Sequence, residues 1–337
     1  MLRSRFAIVC AALSVCLLLV ACLPSPRPQA PTHLKVAILP NLSFAPLFIA
    51  ADEGLFTEQK LEVEFVRFAR TADAIPALAK GDVDAVIGGL NVGMINAIAR
   101  ETGIKMVADK GSYAMQDCAP AGLVARKALV ESGELAGAAQ LKGRKVSVTL
   151  ANYEEYMVDT LLHSAGLTMD DISTVDLDDP AVIEGFKQGT LDVASISDPW
   201  LTRAVDSGAA VLWKSSAELA LGFQYSVVLY GPNLLQKNST AGEALMVAYL
   251  KGLRQYQLGK TERNVEIIAK YTEQDPQVIL RTCWPAINTD GRVNVQSVLD
   301  FQAWAVGREL LEKPVESSQF WDPRFVDHAN QQVYGGS

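Results

Sequence analysis

Strand-like and helix-like patterns alternate along most of this chain, and the alternation is used twice. Short apolar runs at 34–39, 61–66, 83–87 and 105–108 are separated by helical patterns at 45–53, 72–80 and 92–100. Strands joined through helices run parallel with right-handed crossovers, so this stretch reads as a parallel α/β sheet. After Gly111 the order restarts, with strand runs at 145–149, 172–177, 191–196 and 210–213 and helical patterns at 154–165, 181–188 and 201–207. A shift of 108 positions lays Gly81 on Gly189 and Asp84 on Asp192, each pair standing between a helix and a strand. Two copies of one plan are the simplest reading. Strand-like segments at 121–125 and 225–230 flank the second copy and are expected to be the crossings between two lobes. The remainder, 233–332, carries helical patterns (244–258, 263–271, 276–283, 295–311) and is expected to pack on the first lobe.

The N-terminus sets the compartment. Arg3 and Arg5 precede an apolar stretch from Phe6 to Val20, too short to span a bilayer of about 30 Å but right for a signal peptide. It ends in Leu19-Val20-Ala21-Cys22, which resembles the bacterial lipobox. Cys22 is then the lipidated N-terminus, carrying palmitate-type acyl chains, of an extracytoplasmic protein held at the cell membrane. Pro24, Pro26, Pro28 and Pro31 make the following segment an extended spacer. The expected division is a signal at 1–21, a tether at 22–32, a first lobe from 33–112 plus 223–337, and a second lobe at 113–222. The formal charge of −8 becomes −10 once the two signal arginines are removed, which disfavours a nucleic-acid partner.

Cys10 and Cys16 leave with the signal, so Cys118 and Cys283 remain, either as a disulfide or as two separate thiols. His33, His163 and His328 have no ligand-spaced companions, and neither a metal site nor a bound cofactor is expected. Nucleophile-elbow and phosphate-loop motifs are missing too, so the chain does not read as an enzyme.

Phe44 to Phe56 (FAPLFIAADEGLF), Ala77 to Gly89 (ALAKGDVDAVIGG), Val107 to Ser112 (VADKGS), Gln140 to Val146 and Ser197 to Trp200 (SDPW) follow in an order that resembles the NMT/THI-type solute-binding proteins of ATP-binding-cassette importers. That family includes nitrate, sulfonate, taurine, thiamine-pyrimidine and riboflavin receptors. The resemblance implies a two-lobed periplasmic-binding-protein fold of type II, with two crossing strands and a cleft that closes on a solute before docking on a permease. Where the family's DLxGxxV phrase has Asp, this chain has Gln140. A ligand-presenting signalling receptor would share the same binding physics.

Ligands of open α/β sheets sit beyond the carboxyl ends of the strands. The segments expected there, 40–45, 88–93, 111–117, 150–156, 197–200 and 222–225, contain no Lys or Arg but seven aromatic residues. Asn41, Phe44, Asn91, Tyr113, Asn152, Tyr153, Tyr156, Asp198, Trp200 and Tyr225 are the candidate ligand contacts, with Phe44, Tyr113 and Trp200 as a ring clamp. Aromatic walls edged with carboxamides and acids suit a flat neutral heterocycle, riboflavin first. A thiamine pyrimidine precursor is the near alternative, and a sulfonate or nitrate the further one. Each residue also has a plainer role: Asn91 and Asp198 as helix caps, Phe44 and Trp200 as core.

Overall fold

The computed structural model describes residues 30–39, 41–311 and 313–335. The signal, Cys22, most of the spacer, and Pro40 lie outside the described residues. All ten strand runs form strands: β1 Thr32–Ile38, β2 Leu61–Arg67, β3 Ala85–Gly89, β4 Lys105–Ser112, β5 Ala121–Arg126, β6 Lys145–Ser147, β7 Ser173–Val175, β8 Val193–Ser197, β9 Ala210–Ser215 and β10 Gln224–Tyr230.

They assemble into two five-stranded sheets of the same order, β2-β1-β3-β10-β4 and β7-β6-β8-β5-β9. Neither sheet is wholly parallel. β10 runs antiparallel to β3 and β4, and β5 antiparallel to β8 and β9. Each crossing strand arrives from the other lobe and so enters its sheet against the direction of the helix-linked strands. The expectation of parallel sheets therefore holds only for the strands joined through helices, such as β1 with β2 and β3.

The repeated Gly and Asp do the same work in both sheets. Gly81 and Gly189 end their helices with φ of 81° and 70°, a left-handed geometry that glycine adopts without a Cβ penalty. Asp84 Oδ2 accepts the Lys35 amide at 2.7 Å, and Asp192 Oδ2 accepts the Lys145 amide at 3.0 Å. In each lobe one carboxylate thus ties the start of the central strand to the strand beside it.

Helix starts follow side-chain capping. Asn91, Asn152, Asp178, Asn238, Thr261, Asp275 and Asn294 each accept a first-turn amide. The long helix Ser239–Tyr256 lies on Ala45–Asp52 through a core that includes Phe48, Leu250 and Leu253. Helix Arg324–Tyr334, which the sequence pattern did not announce, joins the same core through Phe325, Val326 and Ala329.

Cys118, in the exposed segment leading into β5, forms a disulfide with buried Cys283. Gln116 Nε2 donates to the Trp284 carbonyl at 3.2 Å beside it. The first crossing is thereby fixed to the C-terminal helical region.

Candidate functional site

β1 and β3 are parallel, and β4 shares their direction because both β3 and β4 oppose β10. The carboxyl ends of β1, β3 and β4 consequently meet along one edge, where the chain continues into the Asn41–Phe44 turn, the Leu90–Val92 stretch and Tyr113.

Asn41 caps the 3₁₀ turn Leu42–Phe44, accepting the Ser43 amide at 3.2 Å and its hydroxyl at 2.7 Å. The turn delivers Phe44, which is fully buried, to the Lys110 ammonium, whose Nζ lies 3.7 Å from the ring centroid. Ser43 hydrogen-bonds the Tyr225 phenol. After β3, Asn91 caps helix Val92–Ala99 through Met94 N at 2.9 Å, while its Nδ2 donates to the Gly89 carbonyl.

The second lobe is stitched to this edge. Val92 N donates to the Ala151 carbonyl at 2.9 Å, Tyr153 N donates to the Leu90 carbonyl at 3.0 Å, and Asn91 and Asn152 form an isolated β-bridge. Gly89 is required at this seam, because a Cβ there would lie 2.6 Å from the Tyr153 ring. An Arg70–Asp176 ion pair at 2.7 Å also joins the two lobes.

Four rings gather beneath the seam. Tyr113 stacks on Tyr225 at 4.6 Å and 14°, Phe223 flanks Tyr113 at 6.3 Å, and Tyr153 is tilted against Tyr225 at 5.5 Å. The buried Tyr113 hydroxyl has no hydrogen-bond partner, a costly state for a phenol unless something else meets it. Burial raises the pKa of Tyr113, Tyr153 and Tyr225, so all three stay neutral donors.

The charges here were not foreseen. Lys110 is 2% exposed, and no carboxylate of the described residues forms an ion pair with it. Burial holds its ammonium well below the ordinary lysine range, with adjacent Asp109 partly countering that. Asp109 is itself fully buried and accepts from Gly111 N, Gln224 Nε2 and Asn288 N. Burial lifts its pKa to about 6 against the pull of those bonds. Desolvation likewise raises Glu154 to about 7; it accepts from Thr149 N at 3.2 Å and the Tyr153 hydroxyl at 3.3 Å. Reading the fourth strand as ending at Ala108 and its loop as starting at Gly111 stepped over Asp109 and Lys110. The apparent lack of any cation at the cleft was a consequence of that gap.

The predicted contacts divide. Asn41, Phe44, Asn91, Tyr113, Asn152, Tyr153 and Tyr225 come together at the seam and the ring cluster. Asn152 serves there as the cap of helix Tyr153–Ser164. Tyr156 extends the ring cluster outward, stacking on Phe223 at 4.7 Å and meeting Trp304 at 5.6 Å. Asp198 is buried and committed: Oδ1 accepts from Thr202 N and Oγ1, and Oδ2 accepts from Cys283 N at 2.6 Å. Trp200 packs with Phe186 and Leu201 in a separate apolar group, its ring under the Arg203 guanidinium. The structure therefore does not assemble a clamp of Phe44, Tyr113 and Trp200. Gln224 is likewise spent inside the sheet on Asp109 and on the Gly111 and Ser226 carbonyls.

No curated protein matches the chain at a significant level. Among solved structures it superposes on the periplasmic nitrate-binding protein NrtA of Synechocystis PCC 6803 with a TM-score of 0.72 at 14% identity, covering 90% of this chain and 89% of that one. The periplasmic aliphatic sulphonate binding protein SsuA of Escherichia coli gives 0.69 at 19% identity, covering 87% and 93%. The alkanesulfonate-binding protein SsuA of Xanthomonas axonopodis pv. citri, bound to MOPS, gives 0.69 at 18%, covering 87% and 99%. At such identities the likeness establishes the two-lobed periplasmic-binding-protein fold. A family model described as NMT1/THI5 like matches residues 41–257, well over half of the sequence, and the chain belongs to that family.

Proposed function

We propose that this protein is the solute receptor of an ATP-binding-cassette importer, anchored through Cys22 on the outer face of the cell membrane, and that it captures a compact organic oxyanion such as a sulfonate. The observation that carries the reading is the seam itself: the carboxyl edges of two sheets meet through Asn91 and Asn152 over the buried Tyr113 hydroxyl, which lacks a partner. A two-lobed shell closed around an unsatisfied donor is what a solute receptor needs and what a catalyst without a nucleophile does not.

The flat-heterocycle reading, riboflavin or a thiamine pyrimidine precursor, has the ring cluster in its favour. Its difficulty is space. A third ring between two others needs about 7 Å, two van der Waals contacts, whereas Tyr113 and Tyr225 are 4.6 Å apart. Two receptors similar to this chain in shape are named for aliphatic sulphonate and nitrate, which suits a compact solute better.

Titration of the purified protein separates the readings. Short alkanesulfonates are expected to raise its melting temperature while riboflavin fluorescence stays unquenched. Saturable flavin quenching at micromolar affinity would replace the oxyanion by the heterocycle. Co-purification with a membrane sensor in place of a permease would make it a signalling receptor. Labelling of a Cys22→Ser variant with lipid at its N-terminus would end the anchoring proposal.

A further inference from the structure

We infer that Lys110 is the counter-ion of the solute and so fixes which solutes the receptor accepts: those carrying one oxyanion, placed where the Lys110 ammonium lies against the Phe44 ring of the Ser43–Phe44 turn. The inference rests on the receptor reading above and adds to it the residue and the charge.

Three observations lead there. First, Lys110 stands two residues before the carboxyl end of β4, on the edge where ligands of such sheets sit. Second, it is almost completely enclosed, and Asp109 is the only charge among the described residues that acts on it. The Asp109 carboxylate is held by three donors of its own and forms no ion pair with Lys110. A lysine buried without an anion is expensive, and fold stability alone gives no reason to keep one. Third, the partner shown for its ammonium among the described residues is the Phe44 face, and a ring stabilises an ammonium while leaving its other N–H directions open for oxygen acceptors.

Desolvation that disfavours the free ammonium makes the site responsive to charge. An oxyanion arriving beside Lys110 restores the protonated form, so binding takes up a proton at any pH above the lysine's value in the ligand-free protein. Affinity is full below that value and falls as pH rises through it. The other titratable groups around this stretch are Asp109 on the same strand, Tyr225 on β10 and Tyr249 on helix Ser239–Tyr256, whose hydroxyl donates to the Asp109 carbonyl. Both phenols remain neutral throughout, since burial raises their pKa.

The test uses methanesulfonate and its neutral isostere dimethyl sulfone as probes, in calorimetric titrations run in two buffers of different ionisation enthalpy. The wild-type protein is expected to prefer the sulfonate by at least about 30-fold, with buffer-dependent heats that report proton uptake appearing as pH rises through the lysine's ligand-free value. Lys110→Met is expected to lose about 100-fold in sulfonate affinity, and the buffer dependence with it, while its ligand-free melting temperature holds or rises. Equal binding of the sulfone, or a Lys110→Met variant that keeps its sulfonate affinity, would each overturn the assignment. Should that variant fail to fold, the wild-type sulfone comparison decides alone. If riboflavin binds and sulfonate does not, the Lys110 assignment falls and the receptor stands. A protein that binds none of these solutes brings down the receptor reading itself.

Discussion

The two lobes share one construction and differ in what they do with it. Their sheets have the same strand order, and Asp84 and Asp192 tie equivalent strands in the same way. Near the carboxyl end of the fourth strand of each plan stands a lysine. In the second lobe Lys214 on β9 is a surface residue 3.6 Å from Glu218, one helical turn further on. In the first, Lys110 on β4 is enclosed and faces a ring instead of a carboxylate. The duplicated parts build the scaffold, and the buried lysine is where the two copies depart from each other.

The largest expected effect tests a part with no duplicate. Replacing both Cys118 and Cys283 by Ser opens a crosslink across 165 residues of sequence and should cost about 4 kcal/mol in a denaturant midpoint. A loss under about 1 kcal/mol would show that Gln116 and Asp198 hold the crossing without it. Next come the equivalent aspartates. Asp192→Ala also leaves the half-buried Arg126 without its 2.7 Å partner and should cost about 2 kcal/mol, against about 1 for Asp84→Ala, whose second partner is the neutral Asn233. Equal losses would mean that only the shared strand tie matters.

A smaller effect concerns acid. Glu154 titrates near 7 when folded, above its unfolded value, so the folded state holds the extra proton between the two. Its contribution therefore grows as pH falls from about 8 to about 5. Lys110, shifted down, acts in the opposite sense, so the informative quantity is the difference between wild type and Glu154→Gln. That variant should lose stability gain of the order of 1 kcal/mol on acidification, read from melting curves at both pH values. Matching pH profiles would remove Glu154 from the account. Smallest of all, Lys214→Met should change stability and solute affinity by less than about 0.5 kcal/mol, as a surface ion pair predicts.

The fold was legible because strands and helices of this class announce themselves by period, and every strand run was found. Their directions were not: nothing local distinguishes β5 and β10 from parallel strands, and only their passage between lobes reverses them. Helix Arg324–Tyr334 was hidden because its apolar stripe, Phe325, Val326 and Ala329, is narrow within a polar segment. At the site, the turn and cap residues Asn41, Asn91 and Asn152 could be placed from spacing. Trp200 and Asp198 could not, because a large ring or an acid at a helix start reads the same whether it meets a ligand or a neighbouring segment. Lys110 was missed for the opposite reason: a charged pair inside an apolar strand looked like the strand's end.

The position of β10 also bears on how the molecule comes into being. β5 to β9 form one continuous stretch, so the second sheet has all its strands once about residue 215 has been made. The first sheet lacks its bridge between β3 and β4 until residues 224–230 arrive, and β4 has no ladder partner before then. A chain emerging N-terminus first therefore finishes its lobes in reverse order of their beginnings. The strand that carries Lys110 waits, unpaired, for its inner neighbour, which makes this stretch the natural point of purchase for a chaperone while the chain is being made.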